Sequence, residues 1–304
     1  MQADRTRVSI FITKGNEEMK AIYKSIEGQR MVLERYQAFL KRWPVPNRQV
    51  RMPTGQGETF VVVSGPENAP ALLLLHGGML NSSMWMGEVT AFARFFRVYC
   101  IDMIGEPGLS APARPALASD AYARWLDDVL DHLAVPRASM VGASLGGWLA
   151  LDYAIRRPAR VERIAVLCPA GIGRQKVGIV FATLLSRMFG ERGKRRLMER
   201  ILGKAPADPP PPLKAFIDFS RLIQKHFRPR MVKFPSFPDN ALKNLNAPLL
   251  AIVGARDVLF DSTQTKRRLD ALVNGAQVVY LPEAGHMIAG QAATVLAFMT
   301  SGRN

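Results

Sequence analysis

The sequence predicts an α/β fold built on a largely parallel sheet with helices on both faces. Two observations predict it. Short, β-rich apolar runs alternate with helical patterns from residue 48 onward, and that alternation is the signature of parallel strands joined by helical crossovers. The runs are also almost continuously apolar, as Ala71-Leu72-Leu73-Leu74-Leu75 is, which marks strands covered on both sides. A third observation shapes the outline. About 80 residues separate the run ending at Cys168 from the one near Pro248, too many for a loop without structure of its own.

The elements follow in order. Residues 17–43 read as helix, with Met19, Ile22, Tyr23 and Ile26 at helical spacing and Leu33, Tyr36, Phe39, Leu40 and Trp43 resuming it after Gly28. Gly28 is placed to split that helix, and Trp43-Pro44-Val45-Pro46 ends it because proline cannot continue a helix. Strands are expected at 59–64, 71–75, 96–101, 138–142, 162–168, 248–253 and 277–281, and helices at 84–95, 120–134, 145–157, 262–273 and 288–299. The long gap carries helical stretches near 176–204 and 213–227, separated by Pro209 to Pro212, read as an extended polyproline segment. Three units result: a helical arm over 1–47, a core of 48–171 with 239–304, and a helical cap over 172–238. An apolar stripe in the cap, Val177, Val180, Phe181, Leu184, Leu185, Met188 and Phe189, reads as core packing.

Composition excludes several classes. Of 304 residues 48% are hydrophobic and 22% charged, which rules out global disorder. Two cysteines in apolar runs, Cys100 and Cys168, read as buried thiols rather than a disulfide framework. The N-terminus lacks a signal-peptide apolar core and no stretch reaches the ~18 apolar residues of a membrane span, so the expected compartment is the cytoplasm. The net charge of +16 would suit nucleic acid or membrane if it were spread over one surface. It is not evenly spread: residues 172–238 carry 15 Lys/Arg against 4 Asp/Glu. No nucleic-acid motif accompanies the charge, so no nucleic-acid partner is expected. The basic cap reads as a solvated face, as a reader of an acidic substrate group through Arg187, Arg221 or Arg228, or as a patch for anionic membrane formed by Arg192, Lys194, Arg195, Arg196, Arg200 and Lys204.

The chemistry gathers in four places. Gly142-Ala143-Ser144-Leu145-Gly146-Gly147 follows a strand and opens a helix, which is the setting of a nucleophile elbow. The tight turn strains the serine backbone, so side chains two residues away would clash, and glycines at 142 and 146 remove them. A serine hydroxyl needs a base. Of four histidines, His286 sits just beyond the last strand, at the edge where strand ends converge. An acid must orient it, and Asp257 follows the strand 248–253; Asp261 reads as a helix cap and Glu283 as a loop residue. Acyl transfer also needs N–H donors for an oxyanion. Leu145 supplies one, and His76-Gly77-Gly78-Met79 the other, with Gly78 the first choice and Met79 the second. His76 is then structural. Met84 and Trp85 follow that loop, placed either to line the pocket or to pack at the start of the next helix.

Together with Asp102 to Ser110, these segments resemble the α/β-hydrolase family from about Val50 to the end of the chain. The resemblance implies an eight-stranded, mostly parallel sheet with the cap inserted after strand six, Ser144 as nucleophile, Asp257 as acid and His286 as base, and no metal or organic cofactor. Glu106-Pro107-Gly108 shifts the family's second glycine by one place, and that loop reads as a structural turn. Serine at 144 argues against the aspartate-nucleophile branches of the family. The expected reaction is hydrolysis of a small, mainly apolar carboxylic ester through an acyl-enzyme. A carbon–carbon bond hydrolase and a non-catalytic ligand-binding protein stand as alternatives.

Overall fold

The computed structural model describes residues 22–176, 178, 188–203, 206 and 208–302. Its sheet has eight strands. In chain order the elements before the long gap are α1 (Ile26–Leu40), β1 (Asn47–Thr54), β2 (Gly57–Ser64), β3 (Ala71–Leu75), a 3₁₀ turn (Ser82–Trp85), α2 (Val89–Phe92), β4 (Arg97–Ile101), α3 (Ala121–His132), β5 (Ala138–Ala143), α4 (Leu145–Arg156) and β6 (Val161–Leu167). Beyond β6 come α5 (Gly190–Leu202), α6 (Pro211–His226), α7 (Asp239–Lys243), β7 (Leu249–Gly254), α8 (Ser262–Leu272), β8 (Gln277–Leu281) and α9 (Ala292–Thr300).

The strand order is β1-β2-β4-β3-β5-β6-β7-β8. Only the β1–β2 and β2–β4 pairings are antiparallel; the five others are parallel. Two apolar clusters sit on opposite faces of the sheet. One gathers Trp125 of α3, Trp148 of α4 and Leu269 of α8 under Leu73, Met140 and Val166. The other gathers Tyr36 of α1, Trp85, Phe92 and Phe298 of α9 over Leu72, Val141 and Ala165. Alternate residues of one strand therefore feed both cores, which explains the continuous apolar runs. Cys100 and Cys168 are buried and unpaired by disulfide.

β1, Gly28 and the proline run each depart from expectation. β1 was not anticipated as a strand: it is a sheet edge on which only Met52 is buried, so it lacks the apolar run that revealed the others. Gly28 does not split a helix. Ser25 caps α1, accepting from the Gly28 N–H, so the helix begins after the Met19–Tyr23 pattern, and residues 17–21 lie outside those described. Gly28 is instead a close approach, because a Cβ there would lie 2.7 Å from Cγ of His226 on α6. The proline run is not wholly extended either: Pro211 and Pro212 form the first turn of α6, where a missing N–H costs no intrahelical bond.

The α5, α6 and α7 helices fall between β6 and β7. α6 packs on α1, with Tyr36 stacked on Phe219 at 6.3 Å between ring centroids and Phe39 tilted against it at 5.1 Å. Farther along, Trp148 donates from Nε1 to Pro235 O at 2.9 Å and stacks on Phe237. Of the apolar stripe expected between 177 and 189, Val177, Val180, Phe181, Leu184 and Leu185 lie outside the described residues. Met188 and Phe189 are 79% and 65% exposed, so these two do not pack in a core.

Candidate active site

Ser144 lies between β5 and α4 with φ 51° and ψ −108°, a left-handed conformation that a non-glycine residue holds only when its surroundings enforce it. They do so here. A Cβ on Gly142 would sit 2.5 Å from the Gly146 carbonyl carbon, and one on Gly146 would sit 2.6 Å from His76 O. The turn can close only because both are glycine. Its backbone is fixed as well, Ser144 N–H donating to Leu167 O at 2.9 Å.

His286 follows β8 and Asp257 follows β7, so both side chains reach the sheet edge where the elbow emerges. His286 Nε2 lies 3.0 Å from Ser144 Oγ, and His286 Nδ1 lies 2.8 Å from Asp257 Oδ2. Burial pushes the Asp257 carboxyl up, but the hydrogen bond and charge of His286 and the Leu259 and Phe260 N–H groups outweigh it and hold it below its usual value. Leu259 and Phe260 donate to Oδ1 at 2.7 and 3.2 Å. An ionised Asp257 must accept, so Nδ1 carries the imidazole proton and Nε2 is free to accept from the serine hydroxyl. A hydroxyl so placed can pass its proton to the ring as it attacks an electrophile.

Asp261 and Glu283, the weaker acid candidates, are elsewhere. Asp261 caps α8 by accepting from Gln264 N–H at 2.9 Å, and Glu283 pairs with Arg256 at the surface. His76 is buried, and its Nε2 accepts from Met103 N–H at 3.0 Å while Nδ1 meets Gly77 O at 2.8 Å. Desolvation lowers its basicity and keeps it neutral.

The two N–H groups considered beside Leu145 differ in their engagement. Met79 N–H already donates to Glu106 Oε2 at 2.7 Å. A Cβ on Gly78 would lie 3.7 Å from Leu145 Cδ2, so Gly78 borders the start of α4, whose first N–H groups have no intrahelical acceptor. Met84 and Trp85 line a narrow cavity of about 20 Å³ with Val141, Leu167 and Ile288, room for about one water. Trp85 itself is fully buried. Leu167, whose carbonyl holds the Ser144 N–H, is among the cavity's lining residues, whereas Ser144, Asp257 and His286 are not.

Among the described residues one cluster has metal-ligand chemistry: donor atoms of Cys168, Asp257 and His286 lie within 4.8 Å of one another. Two of them are already paired, and burial pushes the Cys168 thiol up, leaving a poor ligand. Of the cap arginines, Arg221 pairs with Asp218 at 3.1 Å and Arg228 donates to Tyr23 O at 3.2 Å. Arg192, Arg195, Arg196 and Arg200 of α5 are exposed. Arg187, Lys204 and the Lys194 side chain lie outside the described residues. No helix among those described is long and apolar enough to cross a membrane.

No sequence pattern marked Phe260, whose N–H holds Asp257 and whose ring lies 5.4 Å from the His286 ring. It also passed over Glu106 as part of a turn; the displaced glycine beside it was the available signal.

A mostly parallel eight-stranded sheet with an elbow after β5 and Ser, Asp and His in that chain order defines an α/β-hydrolase fold. The model of the alpha/beta hydrolase family matches residues 72–298, and the chain belongs to that family. Carboxylesterase YbfK of Bacillus subtilis is 30% identical over 271 residues, covering 88% of this chain and 90% of that protein. Its crystal structure superposes with a TM-score of 0.78 over 91% of this chain and all of the other. The structure of naproxen esterase (carboxylesterase NP) from the same organism superposes at 0.76 with 28% identity, covering 89% of this chain and 96% of that one.

Proposed function

We propose that the protein hydrolyses carboxylic esters of small, mainly apolar acyl or alcohol groups, with Ser144 as nucleophile, His286 as general base and acid, and Asp257 as the carboxylate that orients it. The observation that carries the reading is the unbroken series Ser144 Oγ–His286–Asp257 at 3.0 and 2.8 Å. Ser144 attacks the ester carbonyl as its proton moves to His286 Nε2. The tetrahedral oxyanion is held by the N–H groups of Gly78 and Leu145. Met79 is set aside as a donor because its N–H is occupied by Glu106. His286 then protonates the leaving alcohol. Water, deprotonated by the same ring, releases the acid and restores the serine. These steps draw on side chains and backbone alone.

The likeness to YbfK and to naproxen esterase, whose names record carboxylesterase activity, supports an ester as substrate. We further propose that 172–238 act as the cap over a core of 48–171 and 239–304, with 1–47 as an arm, which the packing of α6 on α1 and of Phe237 on Trp148 supports. The exposed arginines of α5 would then face an anionic surface. Hydrolysis of short p-nitrophenyl esters tests the central step. Ser144→Ala should lose about 10⁴-fold or more in kcat; equal rates in the two proteins would remove the proposal.

A further inference from the structure

The loop after β4 grips the loop after β3 at three points. Met103 N–H donates to His76 Nε2 at 3.0 Å, Asn81 Nδ2 donates to Pro107 O at 2.8 Å, and Met79 N–H donates to Glu106 Oε2 at 2.7 Å. The third differs from the others. It is charge-assisted when the acid is ionised, and it meets the residue next to Gly78. A Cβ on Gly78 would lie 4.0 Å from the same oxygen. Met79 is itself strained, with φ 61°, and a non-glycine residue keeps such a backbone only where its neighbours hold it. Release of that N–H would let the loop relax and turn the Gly78 N–H away from the carbonyl oxygen it must meet.

We propose that Glu106 is a positioning residue for the oxyanion hole: its carboxyl group holds Met79 N–H and thereby aims the N–H of Gly78. The inference rests on the ester-hydrolase reading of Ser144. What the loop needs from Glu106 is an acceptor, not a charge. A negative charge this close to the hole opposes the developing oxyanion, and the surroundings temper it. Arg114 of the same loop and Arg230 of the segment after α6 draw on the carboxyl group through their charge, and Tyr122 on α3 and Tyr23 ahead of α1 lie within its electrostatic reach. Burial pushes the acid up to about 7 against the pull of Met79 N–H and both guanidinium groups, while Oε1 has no hydrogen-bond partner among the described residues.

The test compares Glu106→Ala and Glu106→Gln with wild type in kcat and KM on a short p-nitrophenyl ester from pH 5.5 to 8.5. Affinity for a trifluoromethyl ketone, which forms a tetrahedral adduct, is measured alongside. A misaimed donor should cost Glu106→Ala about 10- to 100-fold in kcat. KM should change by less than about threefold and ketone affinity should fall in step with kcat. Glu106→Gln, which keeps an acceptor, should recover most of kcat and lose from the kcat profile only the ionisation that belongs to Glu106. A Glu106→Ala protein within twofold of wild type would overturn the inference. So would equal losses in both variants accompanied by a lowered Tm, which indicate a purely structural role. If Glu106→Ala does not fold, Glu106→Met fills the same space without accepting and takes its place. Wild type that neither hydrolyses esters nor labels with a fluorophosphonate at Ser144 would defeat the ester-hydrolase reading itself. An active, labelled wild type with an unaffected Glu106→Ala defeats the positioning role alone.

Discussion

Replacing Gly146 with alanine adds one methyl group, and its consequences can be worked from the elbow. The new carbon would sit 2.6 Å from His76 O, would also meet Leu75 O, and ordinary contact begins near 3.4 Å. Clearing His76 alone therefore demands a displacement of roughly 0.8 Å between α4 and the end of β3, and interiors packed this tightly yield only by moving backbone. Those two elements carry Leu145 and the approach to Gly78, so the displacement opens the space in which an oxyanion would bind. Overpacking of this kind costs about 1–3 kcal/mol of stability, and a misplacement near 1 Å costs about 10²-fold in rate. We expect Gly146→Ala to fold with a lower Tm, to keep KM within a few-fold and to lose about two orders of magnitude in kcat on a p-nitrophenyl ester. Gly87→Ala, where no atom of the described residues beyond its chain neighbours lies within 4 Å of the added carbon, is the control and should behave as wild type. A Gly146→Ala enzyme within threefold of wild type in kcat would mean that the elbow tolerates a side chain where the geometry leaves no room.

Three further outcomes are expected. Glu106 binds its proton more tightly folded than unfolded, so the folded state holds more protons between about pH 4.5 and 7 and stability should fall as pH rises through that window, by up to about 3 kcal/mol; urea titrations should show that slope vanish in Glu106→Gln. Asp257 has the opposite sign: held low in the folded state, it contributes stability above the ordinary carboxylate range that is lost as pH falls through its folded value, so wild type should unfold more steeply with acid than Asp257→Asn. Tyr36→Phe removes the 2.8 Å bond from Tyr36 Oη to buried Asp102 Oδ1, which ties α1 to the loop after β4, and should lower unfolding free energy by about 1.5–3 kcal/mol; a change below 0.5 kcal/mol would show that the bond is dispensable.

What the sequence made legible follows from what is local in it. β3, β5 and β7 are short apolar runs with turn residues at each end, and the elbow is six contiguous residues with glycines where the turn needs them, so each is visible in a window of a few positions. Ser144, Asp257 and His286 could be matched because each closes a strand, and strand ends of a parallel sheet share one edge. The edge strand β1 escaped because its side chains are mostly in water and carry no apolar signature. The start of α6 within a proline run escaped because the first turn of a helix tolerates the residue that its interior forbids. Tyr36 with Asp102 and Glu106 with Met79 escaped for a different reason. Their partners are 66 and 27 positions away, and no periodicity links two polar side chains that meet only once the sheet is assembled.

Every role proposed for the site depends on Ser144 being the activated nucleophile. Reaction with a fluorophosphonate, followed by mass spectrometry of the digested protein, measures that directly. A single adduct on the peptide containing Ser144, absent from Ser144→Ala and slowed by orders of magnitude in His286→Ala, is the predicted result. An unlabelled Ser144 in folded protein, or labelling that is indifferent to His286, would contradict it.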